Sequence, residues 1–371
     1  MTDALSVREK LNGQLESMAT DLEQLVNQET SSHDLDDLNR AADLLHAQGQ
    51  RIMGFPPERV VVDGKTQLVW SKGTPKVGLY CHYDTVWPTG TLKRWPYSRD
   101  GFRATGPGVF DMKSGIIESF YTLAALGFPD GVVLLVTADE EIGSHTSRPL
   151  IEKYAQDLTA ALILEGSHHG HIKVGRKGVS HYELEIVGRA AHAGLEPEKG
   201  INALIELAHQ VLAVTELANE ALGTTVTPTV APSGSTENVV PATAHLTIDV
   251  RARTRDEQER VDRAMNALKA VTPGAKLKMV GDMNRPPFQR TMAMELFEHA
   301  QNVAKELAID IEGIEVGGGS DGNFTSAVGT RTLDGLGAVG DEAHAEGEWI
   351  DLQSIPERGA LVAGLILRLL S

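Results

Sequence analysis

Apolar positions in this chain switch between two periods. The opening stretch up to about Gly49 reads as two helices, and in the second Leu35, Leu38, Ala41, Ala42, Leu44 and Leu45 recur at helical spacing. Ser31 or Ser32 would cap the second and Gly49 would end it. Residues 60–62, 67–70 and 77–81 are β-rich runs separated by the turn signals Asp63-Gly64 and Lys72-Gly73-Thr74-Pro75. From 113 to 126 the spacing of Ile116, Ile117, Phe120, Leu123 and Ala124 is helical again. A buried strand at 132–136, a helix at 148–154 and a strand at 161–164 follow. Such alternation predicts an α/β sandwich around a mostly parallel sheet.

After about Lys173 the pattern changes. Tyr182-Glu183-Leu184-Glu185-Ile186 alternates as a half-exposed strand, and 201–217 is a long amphipathic helix. Strands near 225–229 and 246–251, a helix near 256–270 and a strand at 277–280 complete what reads as a separate α+β insert. Pro286-Pro287 marks the return, and helices at 292–307 and 355–370 rejoin the first domain. The expected division is a catalytic domain at 1–175 and 289–371, interrupted by an insert at 176–288. No internal repeat or low-complexity tract interrupts this pattern.

Composition narrows the function. With 371 residues, 41% of them hydrophobic, the chain is long enough for two domains with sizeable cores. A net charge of −17 and the lack of any Lys/Arg-rich run argue against nucleic-acid or anionic-membrane partners. No run approaches the ~20 apolar residues of a membrane span. The first residues lack a signal-peptide pattern, so a cytoplasmic location is expected. The single cysteine, Cys81, forbids an internal disulfide.

Chemistry concentrates at the ends of the apolar runs. The strand at 77–81 leads into His82 and, two residues on, Asp84, which places an imidazole and a carboxylate on one face. Four further islands carry Asp111, Asp139-Glu140-Glu141, Glu165 and Asp341-Glu342-Ala343-His344. Open α/β sheets hold their ligands at strand ends of this kind. Clustered carboxylates and imidazoles suit a divalent metal.

The five motifs His82-Tyr83-Asp84-Thr85, Gly106-Pro107-Gly108 through Asp111-Met112-Lys113-Ser114-Gly115, Asp139-Glu140-Glu141-Ile142-Gly143, Glu165-Gly166 and the late His344 resemble those of the dinuclear zinc metallopeptidases. That family includes glutamate carboxypeptidases of the carboxypeptidase G type, acetylornithine and succinyl-diaminopimelate deacylases, and aminoacylases. The resemblance implies a three-layer α/β/α catalytic domain with an inserted, ferredoxin-like lid and dimerisation domain. It implies two Zn²⁺ per subunit, one held by His82, Asp111 and Glu165 and the other by Asp111, Glu141 and His344. Co²⁺ or Mn²⁺ would suit the same N/O donors. Two such ions about 3.5–4 Å apart repel, and a shared carboxylate, Asp111, would lie between them. The Asp111-Met112 peptide is expected to be cis.

By the same resemblance, Asp84 orients His82 through its far ring nitrogen, and Glu140 is the general base that passes a proton from water to the leaving amine. His192 polarises the scissile carbonyl, delivered from the partner subunit of a homodimer formed through the insert. Asn238, Arg251 and Arg285 match substrate-binding positions, and an arginine fork suits a substrate carboxylate. Gly318 and Gly319 lie in a glycine run that lacks the Gly-Lys-Ser/Thr ending of a phosphate loop and better fits a backbone nest for a carboxylate. Arg176 reads as a hinge turn or a carboxylate ligand.

The expected activity is a zinc-dependent amide hydrolase, an exopeptidase releasing a C-terminal acidic residue from an N-acyl or peptidyl amino-acid substrate. An N-acyl amino-acid deacylase is the nearest alternative, and a non-catalytic metal-binding protein on the same scaffold a third. One feature opposes an anionic substrate: Asp341, Glu342, Glu346 and Glu348 crowd His344, an acidity that must be solvated if a glutamate is to bind.

Overall fold

The computed structural model describes residues 3–371 and divides into two compact units. The first comprises residues up to Gly175, Gln289–Val316 and Ser320–Ser371; the second comprises Arg176–Phe288 with Gly317–Gly319.

The first unit is built on a six-stranded sheet. Its order is Glu58–Val62, Lys65–Lys72, Val132–Thr137, Val77–His82, Ala160–Ile163, Arg331–Leu333, and the last four strands run parallel. Lys65–Lys72 joins them antiparallel. Strand residues alternate between faces, so the sheet buries both. Val69, Leu135, Tyr80 and Ile163 share one row and pack with Ile151 and Phe324 from helices Arg148–Ala155 and Gly322–Ala327. On the other face Trp70 meets Phe120 of helix Ser114–Ala125 edge-on, with ring centroids 5.1 Å apart. It also abuts Gly49 of helix Leu35–Met53, where a Cβ would stand 2.4 Å from the indole. The result is three layers, α/β/α, as expected.

The amino-terminal prediction needs correction. Three helices form, Ala4–Gly13, Leu15–Val26 and Leu35–Met53. The third is capped by Asp34, whose carboxylate accepts from the Asp36 and Asp37 amides, and it ends at Gly54 with φ 87°. Gly49 lies inside the helix because the approach of Trp70 leaves no room for a side chain there. Ser32 is drawn away from capping by Asp84, to which its hydroxyl donates at 2.7 Å.

A second, small sheet in this unit was not legible in the sequence. It orders Gly340–Asp341, Trp349–Asp351, Arg103–Thr105 and Ser98–Asp100, all antiparallel. It joins the chain on either side of His344 to the chain that leads into Asp111.

The second unit runs strand, helix, strand, strand, helix, strand, with sheet order Thr225–Val230, Thr243–Ala252, Gly178–Val187, Lys276–Arg285. All pairs are antiparallel, which is the ferredoxin-like arrangement. Tyr182, Leu184 and Ile186 point to one side, with Leu246, Ile248 and Val250, against Leu207 of helix Ala203–Thr215 and Val261 of helix Arg255–Asn266. Each such fully buried side chain contributes roughly 1.5–3 kcal/mol.

Candidate metal centre

His82 ends its strand, and its register partner Thr137 ends the next, so the Glu140–Ile142 turn begins three residues beyond the same sheet edge. Glu165 follows Ala160–Ile163 by two residues. Three parallel strands therefore deliver His82, Glu140-Glu141 and Glu165 to one carboxyl-terminal edge. Asp111 arrives from the irregular turn after Arg103–Thr105, and His344 from the loop between Gly340–Asp341 and Trp349–Asp351. The Asp111-Met112 peptide is cis. His344 sits at φ 64°, a left-handed conformation uncommon for a non-glycine residue.

Two triads of potential ligand atoms form, His82, Asp111, Glu165 and Asp111, Glu141, His344, with the atoms of each within 4.8 Å of one another. Asp111 belongs to both. Its Oδ1 lies 3.2 Å from His82 Nε2 and its Oδ2 3.3 Å from His344 Nε2. Glu165 Oε1 is 3.4 Å from His82 Nε2, and Glu141 Oε2 is 3.2 Å from His344 Nε2. The exposures differ: the His82 side chain is 1% accessible and that of His344 52%.

This donor set fits divalent cations. Glu141 Oε1 is buried without a hydrogen-bond partner in the protein, a costly state for a carboxylate unless a cation meets it. Charge points the same way. Burial depresses the His82 imidazole pKa, but contacts with Asp111, Asp84 and Glu165 outweigh it and hold the value well above the usual range. Asp111 and Glu141 likewise raise His344, to about 11. Burial would raise Asp111, yet the two histidines keep its carboxyl well below the usual carboxylate range. Burial and the Asp111 charge push Glu141 up. In the metal-free protein, imidazolium protons thus supply the positive charge that the carboxylates demand.

Asp84 is wholly buried, and its role is broader than orienting His82. The His82 Nδ1 contact is shortest to the Asp84 backbone oxygen, 3.1 Å, and longer, 3.5 Å, to the carboxylate. The carboxylate instead accepts the Glu140 amide at 3.1 Å, the Glu141 amide at 3.2 Å and the Ser32 hydroxyl. It therefore fixes the turn that separates Glu140 from Glu141. Glu140 lies near enough to His82 for its charge to raise the imidazole. Cys81 is buried, and burial pushes its thiol up, so a thiolate nucleophile is disfavoured.

The acidity around His344 divides. Asp341, Glu342 and Glu346 are exposed, whereas Glu348 is fully buried and turned inward to the Gly108, Phe110 and Asp111 amides. Burial pushes its carboxyl up to about 7, against those donors. Glu348 and Ser32 are the site residues that sequence reasoning missed. The His-x-x-x-Glu spacing of His344 and Glu348 was the available signal.

The remaining predicted residues lie in the second unit. Exposed His192 accepts the Gly194 amide on Nδ1 and bridges to Val239, which sets it beside Asn238, whose carbonyl accepts the Ala193 amide. Arg251 and Arg285 flank Val179 in one row of the sheet and so share a face. The Arg251 fork is engaged by Asp249 at 2.8–3.1 Å. Arg285 is buried under Gly319, where a Cβ would stand 2.9 Å from its Cδ. The glycine run is not a nest. None of Gly317, Gly318 and Gly319 has the left-handed φ that alternation requires, and the Gly318 and Gly319 carbonyls accept from Arg176 at 3.2 and 3.1 Å.

Comparison with known proteins gives this geometry a family. Residues 78–368 match the peptidase family M20/M25/M40. Carboxypeptidase G2 of Pseudomonas sp. (strain RS-16) is 32% identical over 94% of this chain and 88% of its own length. Succinyl-diaminopimelate desuccinylase of Thioalkalivibrio sulfidiphilus is 26% identical over 86% of this chain and 90% of its own. An M20 family metallo-carboxypeptidase from Sulfolobus solfataricus shares the fold, with a TM-score of 0.75 at 16% identity over 95% of this chain and 98% of that one. The chain is a hydrolase that belongs to peptidase family M20/M25/M40.

Proposed function

We propose that this protein is a two-cation amide hydrolase acting as a carboxypeptidase, which releases a C-terminal acidic residue from an N-acyl or peptidyl conjugate. The observation that carries the reading is the pair of triads sharing Asp111, with Glu140 on the turn beside them. His82, Asp111 and Glu165 would hold one cation and Asp111, Glu141 and His344 the other, with zinc as the first candidate. Bound there, the cations supply Lewis acidity and lower the pKa of the attacking water. Glu140 takes that water's proton and returns it to the departing nitrogen, so that the amine leaves neutral. Asp84 keeps Glu140 available by holding both amides of its turn. His192 donates to the developing oxyanion. Arg285 and Arg176, both packed against the Gly318-Gly319 segment, would supply the positive charge for a substrate carboxylate.

The 32% identical carboxypeptidase favours this reading, and the 26% identical desuccinylase supports the alternative, an N-acyl amino-acid deacylase. A panel of matched acetyl-, folyl- and dipeptidyl-glutamate substrates separates them. We expect chelator-sensitive glutamate release from the folyl and dipeptidyl conjugates; release from the acetyl substrate alone overturns the carboxypeptidase reading in favour of the deacylase.

We also propose a homodimer through the second unit. Helix Ala203–Thr215 turns Leu204, Ile205 and Leu212 outward at 47%, 51% and 67% exposure, an apolar strip suited to a two-fold pairing with its own copy. Leu212→Glu is expected to convert a sedimenting dimer to monomer. Mixing inactive His192→Ala with inactive Glu140→Gln subunits should restore activity if His192 is delivered in trans; heterodimers without activity would exclude that delivery.

A further inference from the structure

The buried carboxylate of Glu348 has no part in the chemistry described so far. Its Oε1 accepts the Phe110 and Asp111 amides at 2.8 and 2.9 Å, and its Oε2 the Gly108 amide at 2.9 Å and the Trp87 indole at 3.3 Å. Four donors thus converge on one side chain that is 0% exposed. The Glu348 carbonyl also accepts the Gly106 amide at 3.4 Å, where Thr105 pairs with Trp349 across the small sheet. The turn from Gly106 to Asp111 is irregular, with φ of 148° at Gly106 and 71° at Gly108, so it has no ladder of its own to satisfy these amides. One side chain does so.

The placement matters because of what lies at each end. Holding the Asp111 amide fixes the backbone from which the shared carboxylate projects, and that carboxylate must divide its oxygens between His82 and His344. Glu348 itself lies four residues after His344, tied back through its own amide to the Ala345 carbonyl. It therefore clamps the loop of the shared ligand to the loop of the second triad's histidine.

We propose that Glu348 is a positioning residue for the two-cation centre, setting the separation of Asp111 and His344. The inference rests on the metal-centre reading above. Outer hydrogen-bond partners of this kind typically govern 10–100-fold in metal affinity. Glu348→Gln keeps the volume but turns an NH₂ toward at least one of the donors. Trp87→Phe removes only the indole donor and leaves the three amides in place.

The test is Zn²⁺ titration of the metal-stripped full chain against a chromophoric competitor, with circular dichroism as the folding control and kcat and KM measured on the reloaded enzyme. Glu348→Gln is expected to raise the Zn²⁺ Kd by roughly 10–100-fold and to lower kcat with KM nearly unchanged. Trp87→Phe is expected to raise the Kd by a smaller factor, about threefold or more. A folded Glu348→Gln protein with wild-type Kd overturns the proposal; if that variant does not fold, a wild-type Kd in Trp87→Phe overturns it. Wild-type protein that binds no cation overturns the metal-centre reading instead.

Discussion

Glu140→Gln is expected to keep both cations and lose turnover by on the order of 10²–10⁴-fold, the usual worth of a positioned general base. The amide fills the same volume and leaves the backbone untouched, so the Glu140 and Glu141 amides still donate to Asp84 and the turn is retained. Glu141 continues to face His344 at 3.2 Å, so the second triad is intact. What is lost is a group able to take a proton from water and hand it to the leaving nitrogen. Metal content by atomic absorption, measured alongside kcat, checks the split. Activity within tenfold of wild type at full metal content would assign the base to another group.

Local periodicity made the larger elements legible. Strand Val77–His82 and helices Ser114–Ala125 and Ser354–Leu370 lie within two residues of their expected ends, because each buries a face whose spacing repeats along the sequence. The small sheet was not legible, since strands of two or three residues have no period to read. Arg103–Thr105 and Trp349–Asp351 are defined only by their pairing across more than two hundred residues. Ser32 is not the cap for a related reason: a hydroxyl before a helix signals a cap locally, but the Asp34 carboxylate accepts the first-turn amides, and the Ser32 hydroxyl donates instead to Asp84, 52 residues away.

The site divides along the same line. The motifs identified which residues carry the chemistry, and the structure gathers five of them into two triads. What spacing could not supply was the support between motifs. Asp84 serves the Glu140-Glu141 turn as much as His82, and Glu348, which looks like one more surface acid, is folded inward onto the Asp111 turn. The resemblance that marks Arg251 as a substrate-binding position likewise carries no sign that Asp249, two residues away on the same strand face, engages its fork. These are relations of direction and burial, which a one-dimensional pattern does not encode.

Asp111→Ala should be the most damaging single change in the centre. Each triad would fall from three protein donors to two, leaving Glu165 with His82 and Glu141 with His344. Lewis-acid assistance is worth several kcal/mol, and each 1.36 kcal/mol is tenfold, so activity is expected to fall by roughly 10³-fold or more. A readout independent of activity comes from linkage. Free Zn²⁺ at 100 times its Kd stabilises a protein that binds only when folded by about 2.7 kcal/mol, so wild type should show a clear rise in Tm on adding zinc and Asp111→Ala little or none. The wild-type rise should also weaken as pH falls. His82 and His344 hold protons in the metal-free centre because carboxylates raise them, and a cation must displace those protons to bind. Retention of two cations and of the zinc-dependent Tm shift in Asp111→Ala would show that the bridging carboxylate is not what holds the pair.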